Sequence, residues 1–237
     1  MQRACGKRAI RVQIIMKRVT RILTTLAIAS VAATAQAEVT GNIGWMSDYI
    51  FRGIPLSNSS AMLGLDWAQD EGGFYTGVWA ANVDPGAELD LYGGYTGQVG
   101  EIGYGIGVTV YTFTDAFDEN ATEFNLSGSW KFLTLEANFG KYDSNPQQDF
   151  SYFAATVEQS GFYGMLGTWG NDFDGDYIRA GYRAEYLGLD FDAYYNYSNG
   201  NLIEFFGAGT GSDTSIVLTV SKTFSLSNVG KVFSATE

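Results

Sequence analysis

Apolar residues recur at every second position in segment after segment of this chain. Ile102, Tyr104, Ile106, Val108 and Val110 alternate with Gly103, Gly105, Gly107, Thr109 and Tyr111. Phe124, Leu126, Gly128 and Trp130 alternate with Glu123, Asn125, Ser127 and Ser129. Leu189, Phe191, Ala193, Tyr195 and Tyr197 interleave with Asp190, Asp192, Tyr194 and Asn196, and Ile216, Leu218 and Val220 continue the pattern near the end. A period of two places one set of side chains on each face of an extended strand, whereas a helix needs a period of 3.6. No apolar stripe of helical period and useful length competes with it.

Twelve such segments are predicted, at 39–52, 60–68, 74–82, 87–96, 101–113, 122–131, 133–142, 150–158, 162–170, 176–186, 189–198 and 213–224. The connections between them alternate in length. Gly53–Ser59, Thr114–Ala121, Asp143–Asp149, Asn171–Gly175 and Asn199–Ser212 are long and polar, while Gly97–Gly100, Gln159–Gly161 and Leu187–Gly188 are tight. Long loops on one rim and short turns on the other are expected of a transmembrane barrel. The expected fold is therefore all-β, a transmembrane antiparallel up-and-down β-barrel of about twelve strands. A soluble β-sandwich alternates in the same way, but its strands usually run ~5–6 residues, and a tilted membrane crossing needs ~9–11.

Aromatic placement agrees with lipid contact. Tyr49, Phe51, Trp67, Tyr95, Trp130, Phe132, Tyr195 and Tyr197 fall at expected strand ends, and aliphatics such as Ile106, Val108, Leu126, Leu218 and Val220 fall between. Interfacial aromatic girdles around an aliphatic belt have this arrangement.

The first 37 residues read as a leader. Met16-Lys17-Arg18-Val19-Thr20-Arg21 is basic, Ile22–Ala33 is apolar, and Ala35-Gln36-Ala37 has the small-x-small form of a Sec cleavage site. Translation is expected to start at Met16. The segment carries seven of the 14 basic residues and no acid, so the remainder holds seven bases against 26 acids. That balance excludes nucleic acid as a partner, since phosphate binding needs clustered Lys and Arg. The complete absence of His removes Ser-His and Cys-His triads and His-ligated zinc. A single Cys, Cys5, inside the leader excludes an intrachain disulfide. The expected domains are a signal peptide over 1–37, an outer-membrane barrel over 38–224 and a periplasmic tail over 225–237.

Three motifs carry a family resemblance. Ser47-Asp48-Tyr49-Ile50-Phe51-Arg52-Gly53, Gly73-Phe74-Tyr75-Thr76-Gly77-Val78-Trp79 and Glu88-Leu89-Asp90-Leu91-Tyr92-Gly93-Gly94-Tyr95 occur in order. Together they resemble the TorF porin family, proteobacterial outer-membrane β-barrels of unknown function. The similarity is dense over 39–112 and diffuse to Phe224. It implies an outer-membrane barrel and a pore, and it brings no catalytic residue and no cofactor. Val220-Ser221-Lys222-Thr223-Phe224 looks like the aromatic end-signal read by the barrel-assembly machinery, with Ser225–Glu237 following it.

If the apolar residues of each strand face lipid, the alternate set faces a lumen. That set contains Asp48, Asp66, Glu88, Asp90, Glu123, Glu136, Glu158, Glu185, Asp190 and Asp192, with Arg52, Lys131, Arg179 and Arg183. Charge facing lipid costs up to ~2–4 kcal/mol at mid-depth, which places these inside. Acidic rings select cations, so the expected function is passive diffusion of small cationic or neutral solutes. The alternatives are a closed structural or adhesive barrel, its lumen bridged by Arg179 and Arg183 against Glu88, Asp90 or Glu185, and a secreted β-sandwich binding module. Lipid and lipopolysaccharide are the expected surroundings.

Other constellations carry little chemistry. Asn171-Asp172-Phe173-Asp174-Gly175-Asp176 lacks the terminal Glu of a calcium loop. The same-face pairs Glu88/Asp90 and Asp190/Asp192 follow from lumen-lining alternation as readily as from acid–base catalysis, so no enzyme, cofactor or metal is expected. Gly103-Tyr104-Gly105-Ile106-Gly107 lies inside a strand with no helix to present a phosphate to, and its glycines are expected to keep the lumen wall uncluttered.

Overall fold

A computed structural model describes residues 37–69 and 72–226. The expected leader, apart from Ala37, and residues 227–237 of the expected tail lie outside the described residues.

Twelve strands close into one antiparallel barrel in which each strand pairs with its sequence neighbours and the last pairs with the first. They are β1 (Ala37–Phe51), β2 (Ile54–Gln69), β3 (Gly73–Asn82), β4 (Ala87–Val99), β5 (Ile102–Phe113), β6 (Ala121–Trp130), β7 (Leu133–Tyr142), β8 (Asp149–Gln159), β9 (Phe162–Asn171), β10 (Gly175–Tyr186), β11 (Leu189–Ser198) and β12 (Asp213–Ser225). Closure leaves no unpaired edge, which is the condition for sheet to cross a bilayer. A short helix, α1 (Gly200–Phe205), lies in the connection from β11 to β12. The Asn199 side chain accepts from the Leu202 N–H and so caps it, while Leu202 and Ile203 are buried. The helix is too short to leave a periodic stripe in the sequence.

Burial is inverted relative to a water-soluble fold. Ile43, Leu63, Leu91, Ile106, Leu166 and Ile216 are among the large apolar side chains exposed on the outside, while Glu88 and Glu123 are at most 1 % exposed. Exposed aliphatics around a polar and aromatic interior are the arrangement of a barrel that spans a membrane. Trp67, Trp130, Phe132, Tyr195 and Tyr197 are exposed near strand ends, as expected for a girdle.

The first hairpin departs from expectation. A loop at Gly53–Ser59 is replaced by a two-residue turn, Arg52-Gly53, with both residues at positive φ (48° and 87°). β1 pairs with β12 only from Thr40 to Met46. β2 pairs with β3 only from Met62 to Ala68. Between those limits the two strands make ladder pairs with each other alone, and the register shifts between Tyr49 and Ile50. The hairpin tip therefore leaves the wall and folds into the barrel. Tyr49 and Phe51 go with it: Tyr49 is buried against Ala81 and Val83, and Phe51 packs against Tyr111 and Trp169. They are lumen residues and do not belong to the lipid girdle. The physical reason is that Tyr49, Ile50, Phe51, Ile54 and Leu56 are apolar on both strand faces, and such a segment is buried on both sides.

Candidate functional site: a lumen filled at one end

Lumen-facing side chains lose cover steadily from the loop rim to the turn rim. On β8, Tyr152 and Ala154 are buried, Thr156 is half-buried and Glu158 is exposed. On β11, Ser198, Asn196 and Tyr194 are buried, Asp192 is half-buried and Asp190 is exposed. β6 repeats the order, from buried Glu123 through half-buried Asn125 to exposed Ser127. The interior is solid near the loops and open to water near the turns.

The inserted hairpin supplies much of the filling. Ile54 packs in a cluster with Tyr111, Phe150, Tyr152, Trp169, Phe173, Tyr177 and Leu202. On its other face Ile50 meets Tyr163, Tyr194 and Val217. Its backbone carbonyls are held by the opposite walls. The Trp169 indole N–H donates to the Arg52 carbonyl at 3.1 Å, the Arg179 guanidinium to that of Ile50 at 3.2 Å, and the Ser198 hydroxyl to that of Gly53 at 2.6 Å. A Cβ at Gly53 would press on Tyr177 and Leu202, and its φ of +87° also favours glycine. These three carbonyls of the tip thus find partners inside the barrel, as buried backbone groups must.

Inward glycines serve this packing. Side chains at Gly140 and Gly167 would collide with the rings of Phe150 and Tyr177. Gly107 faces the Tyr75 hydroxyl in the same way. Of the three glycines expected to keep the wall clear, Gly107 thus seats an aromatic side chain, whereas Gly103 and Gly105 lie beside the Ser129 and Ser127 hydroxyls of the next strand.

The fourteen charged residues expected to face the lumen fall, Lys131 apart, into three groups. Arg52, Glu88, Asp90 and Glu123 meet in the filled half. Arg52 donates to both Glu123 oxygens, at 2.5 and 2.8 Å, and its guanidinium lies 4.2 Å from the Tyr152 ring centroid. Tyr111 and Asn125 also donate to Glu123. Glu88 and Asp90, paired across β3–β4 with Ala81 and Trp79, are buried with one oxygen each lacking a hydrogen-bond partner among the described residues. A middle group is engaged with neighbours: Asp66 accepts from Tyr92 and Asn42, Asp48 from Ser47, and Arg179 lies over the Tyr194 ring. The third group reaches the open half. Arg183 donates to Glu158 at 2.7 Å and Asp192 at 3.4 Å, Glu136 is half-buried, and Glu185 and Asp190 are exposed.

Two details differ from the sequence expectation. Lys131 is in the turn between β6 and β7, 4.0 Å from Glu101, and not in the lumen. Turn geometry at positive φ, 54°, takes it out of the strand alternation. Arg179 and Arg183 make no ion pair with Glu88, Asp90 or Glu185 among the described residues; Arg183 takes Glu158 and Asp192 instead. Residues missed by sequence reading include Tyr152, Trp169, Tyr177 and Ser198. Trp169 sits on β9, which is apolar on both faces and shows no clear alternation, and of these rings only that of Tyr177 has glycines, Gly53 and Gly167, to mark its seat.

No curated protein matches the sequence. A chain solved in a study of the in-meso crystallization of membrane proteins shares the fold, with TM-score 0.57 and 10% identity over 80% of this chain and 84% of that one. The NanC porin gives TM-score 0.47 and 11% identity over 78% of this chain and 98% of its own. The COG4313 outer membrane channel of Pseudomonas putida F1 gives TM-score 0.47 and 8% identity over 81% and 98%. The chain spans 57% of a longer chain from Pseudomonas aeruginosa that it also matches. A family model matches residues 30–156, more than half of the sequence, and the chain accordingly belongs to the family described as bacterial protein of unknown function, Gcw_chp.

Proposed function

We propose that this protein is an outer-membrane channel that passes small cationic or neutral solutes by passive diffusion, exported by a leader ending near Ala37. The observation that carries the proposal is the accessible acidic surface of the turn-side lumen. There Glu136, Glu158, Glu185, Asp190 and Asp192 face Arg183 alone among the inward bases. Carboxylates in a recess with low-dielectric walls focus potential and concentrate cations. The resemblance of the Ser47–Gly53, Gly73–Trp79 and Glu88–Tyr95 motifs to TorF porins supports the same assignment. The loops would face the exterior and the turns the periplasm.

A second reading has an observation of its own. The loop half is filled by the inserted hairpin and the Arg52–Glu123 pair, which favours a closed structural barrel. Planar-bilayer recording of refolded protein in a KCl gradient decides between them. A channel gives unitary steps with a reversal potential of cation sign. Replacing Glu185 and Asp190 by Gln and Asn should reduce that preference more than Asp172→Asn with Asp174→Asn, because exposed loop charges are screened within ~8 Å at physiological salt. Silent membranes from folded wild-type protein would establish the closed reading.

A further inference from the structure

We propose that the first hairpin is a displaceable gate, and that the wall it covers continues the cation path of the turn-side lumen through the loop half of the barrel. Resting on the channel reading above, this makes the filled barrel the closed state of the channel. The wall behind the hairpin has the chemistry of a pore lining. Glu88 and Asp90 on β4, Glu123 on β6, Asn138 on β7, and Asn196 and Ser198 on β11 are buried polar side chains, and Arg179 on β10 stands opposite Asn196 in register. The hairpin that covers them is largely apolar, with Ile50, Phe51, Ile54 and Leu56. The mismatch leaves polar groups unmet. Among the described residues, the buried side-chain atoms without a hydrogen-bond partner are Glu88 Oε2, Asp90 Oδ1, Arg179 Nε and Asn196 Oδ1. All four lie around this one element. Glu88 is beside the Tyr49 hydroxyl, and Asp90 is within the field of Arg52. Arg179 holds the Ile50 carbonyl, and Asn196 holds the Ser198 hydroxyl that reaches Gly53. A buried polar group without a partner costs free energy that water would return. The polar wall therefore favours displacement, while the aromatic cluster around Ile54 favours docking.

The backbone allows the tip to move as one piece. Beyond Met46, β1 has no ladder pair with β12, and ahead of Met62, β2 has none with β3. The ladder from Asp48–Asn58 to Phe51–Ile54 is internal to the hairpin, and Ser59 at its base has a φ of 63°. Swinging the tip away thus breaks side-chain contacts and no wall ladder. The polar ones are the bonds to the three tip carbonyls and the Arg52–Glu123 pair. At the base, the Leu218 N–H donates to the Ser47 hydroxyl, and the Ser57 and Ser60 hydroxyls donate to the Asn82 carbonyl. Arg52 travels with the tip. The wall left behind then holds Glu88, Asp90 and Glu123 against Arg179 alone among the described bases, an acidic lining that selects cations.

The test is access of a water-soluble cationic methanethiosulfonate to a thiol under the hairpin. It uses the full chain refolded in detergent micelles, with Cys5→Ser removing the native thiol. Asn196→Cys places a thiol on the covered wall, and Ser127→Cys places one in the open half. In the otherwise wild-type protein the first should react, about tenfold or more below the rate of the second, as expected of local opening. Glu123→Gln, which weakens the latch on Arg52, should speed reaction at position 196 about tenfold and leave position 127 unchanged. Migration as a compact, heat-modifiable barrel should be retained. Should that variant fail to fold, Arg52→Gln takes its place. A thiol at position 196 that never reacts, or reacts at one rate with and without the latch, would overturn the gate. Bilayer recording of the same proteins separates the two failures. Conductance without access to position 196 would leave a channel that runs without this gate. Access to position 196 with silent membranes would refute the channel, and the gate with it.

Discussion

Arg52 reaches Glu123 across the barrel interior, from the tip of the first hairpin to the facing wall, 71 residues away in sequence. The two contacts measure 2.5 and 2.8 Å, with side-chain exposures of 15% and 0%. A pair held this way is paired with the whole insertion, because Glu123 cannot be satisfied by Arg52 unless the hairpin is inside.

Removing one partner leaves the other's buried charge without its counter-ion, at a cost of about 3–5 kcal/mol. Arg52→Met and Glu123→Leu singly should therefore each lower the thermal midpoint in micelles. The double variant should recover much of the loss, since an apolar pair of similar volume is often neutral. Circular dichroism melts of the three proteins check this. Additive losses in the double variant would show that the pair is not coupled.

The hairpin also predicts a conductance. Replacing Tyr49–Ser57 by Asn-Gly leaves Asp48 opposite Asn58, which are already cross-strand partners, and Asn-Gly is the preferred two-residue hairpin turn. The shortened strands would end at the wall and leave the loop half unfilled. Single-channel conductance should rise several-fold over wild type, or appear where wild type is silent. A folded barrel with unaltered conductance would mean that the aromatic cluster of Tyr152, Trp169, Phe173 and Tyr177 closes the lumen without the hairpin.

How far the sequence foretold this depended on the length scale. Period-two alternation located all twelve strands, with most ends within a residue or two, because lipid outside and polar groups inside impose that period on every wall residue. It placed Glu88, Glu123 and Asp192 inward for the same reason. It could not reveal the inserted hairpin as such. Ile50, Phe51, Ile54 and Leu56 break the alternation, and an apolar residue at each parity fits a girdle end as well as a strand buried on both faces. Nor could alternation distinguish a filled lumen from an open one. That difference rests on which distant rings share a glycine seat, such as Tyr177 over Gly167, and on a helix of six residues whose Leu202 is buried against the hairpin turn. Ion-pair choice was out of reach for a similar reason, since Arg183 finds Glu158 only through the stagger of β8 against β10.

The last prediction concerns the seam where β12 meets β1. Phe224 pairs with Gly41 in register, and a Cβ on Gly41 would fall 2.8 Å from the Phe224 ring. The ring thus lies over the glycine, on the outer face with Ile216 and Leu218, and covers backbone that Gly41 leaves bare. β1 holds only seven pairs with β12 in this register, Thr40–Met46 against Ser225–Thr219, so the seam is short and each covering side chain counts. Phe224→Ala should uncover Gly41 and lower the yield of heat-modifiable barrel in outer-membrane fractions. Gly41→Val should do the same by displacing the ring. Truncation after Leu226 should leave the yield unchanged, because pairing ends at Ser225 and the Leu226 N–H already closes the seam on the Val39 carbonyl at 2.8 Å. If truncation impaired assembly and Phe224→Ala did not, the closing signal would have to lie beyond β12.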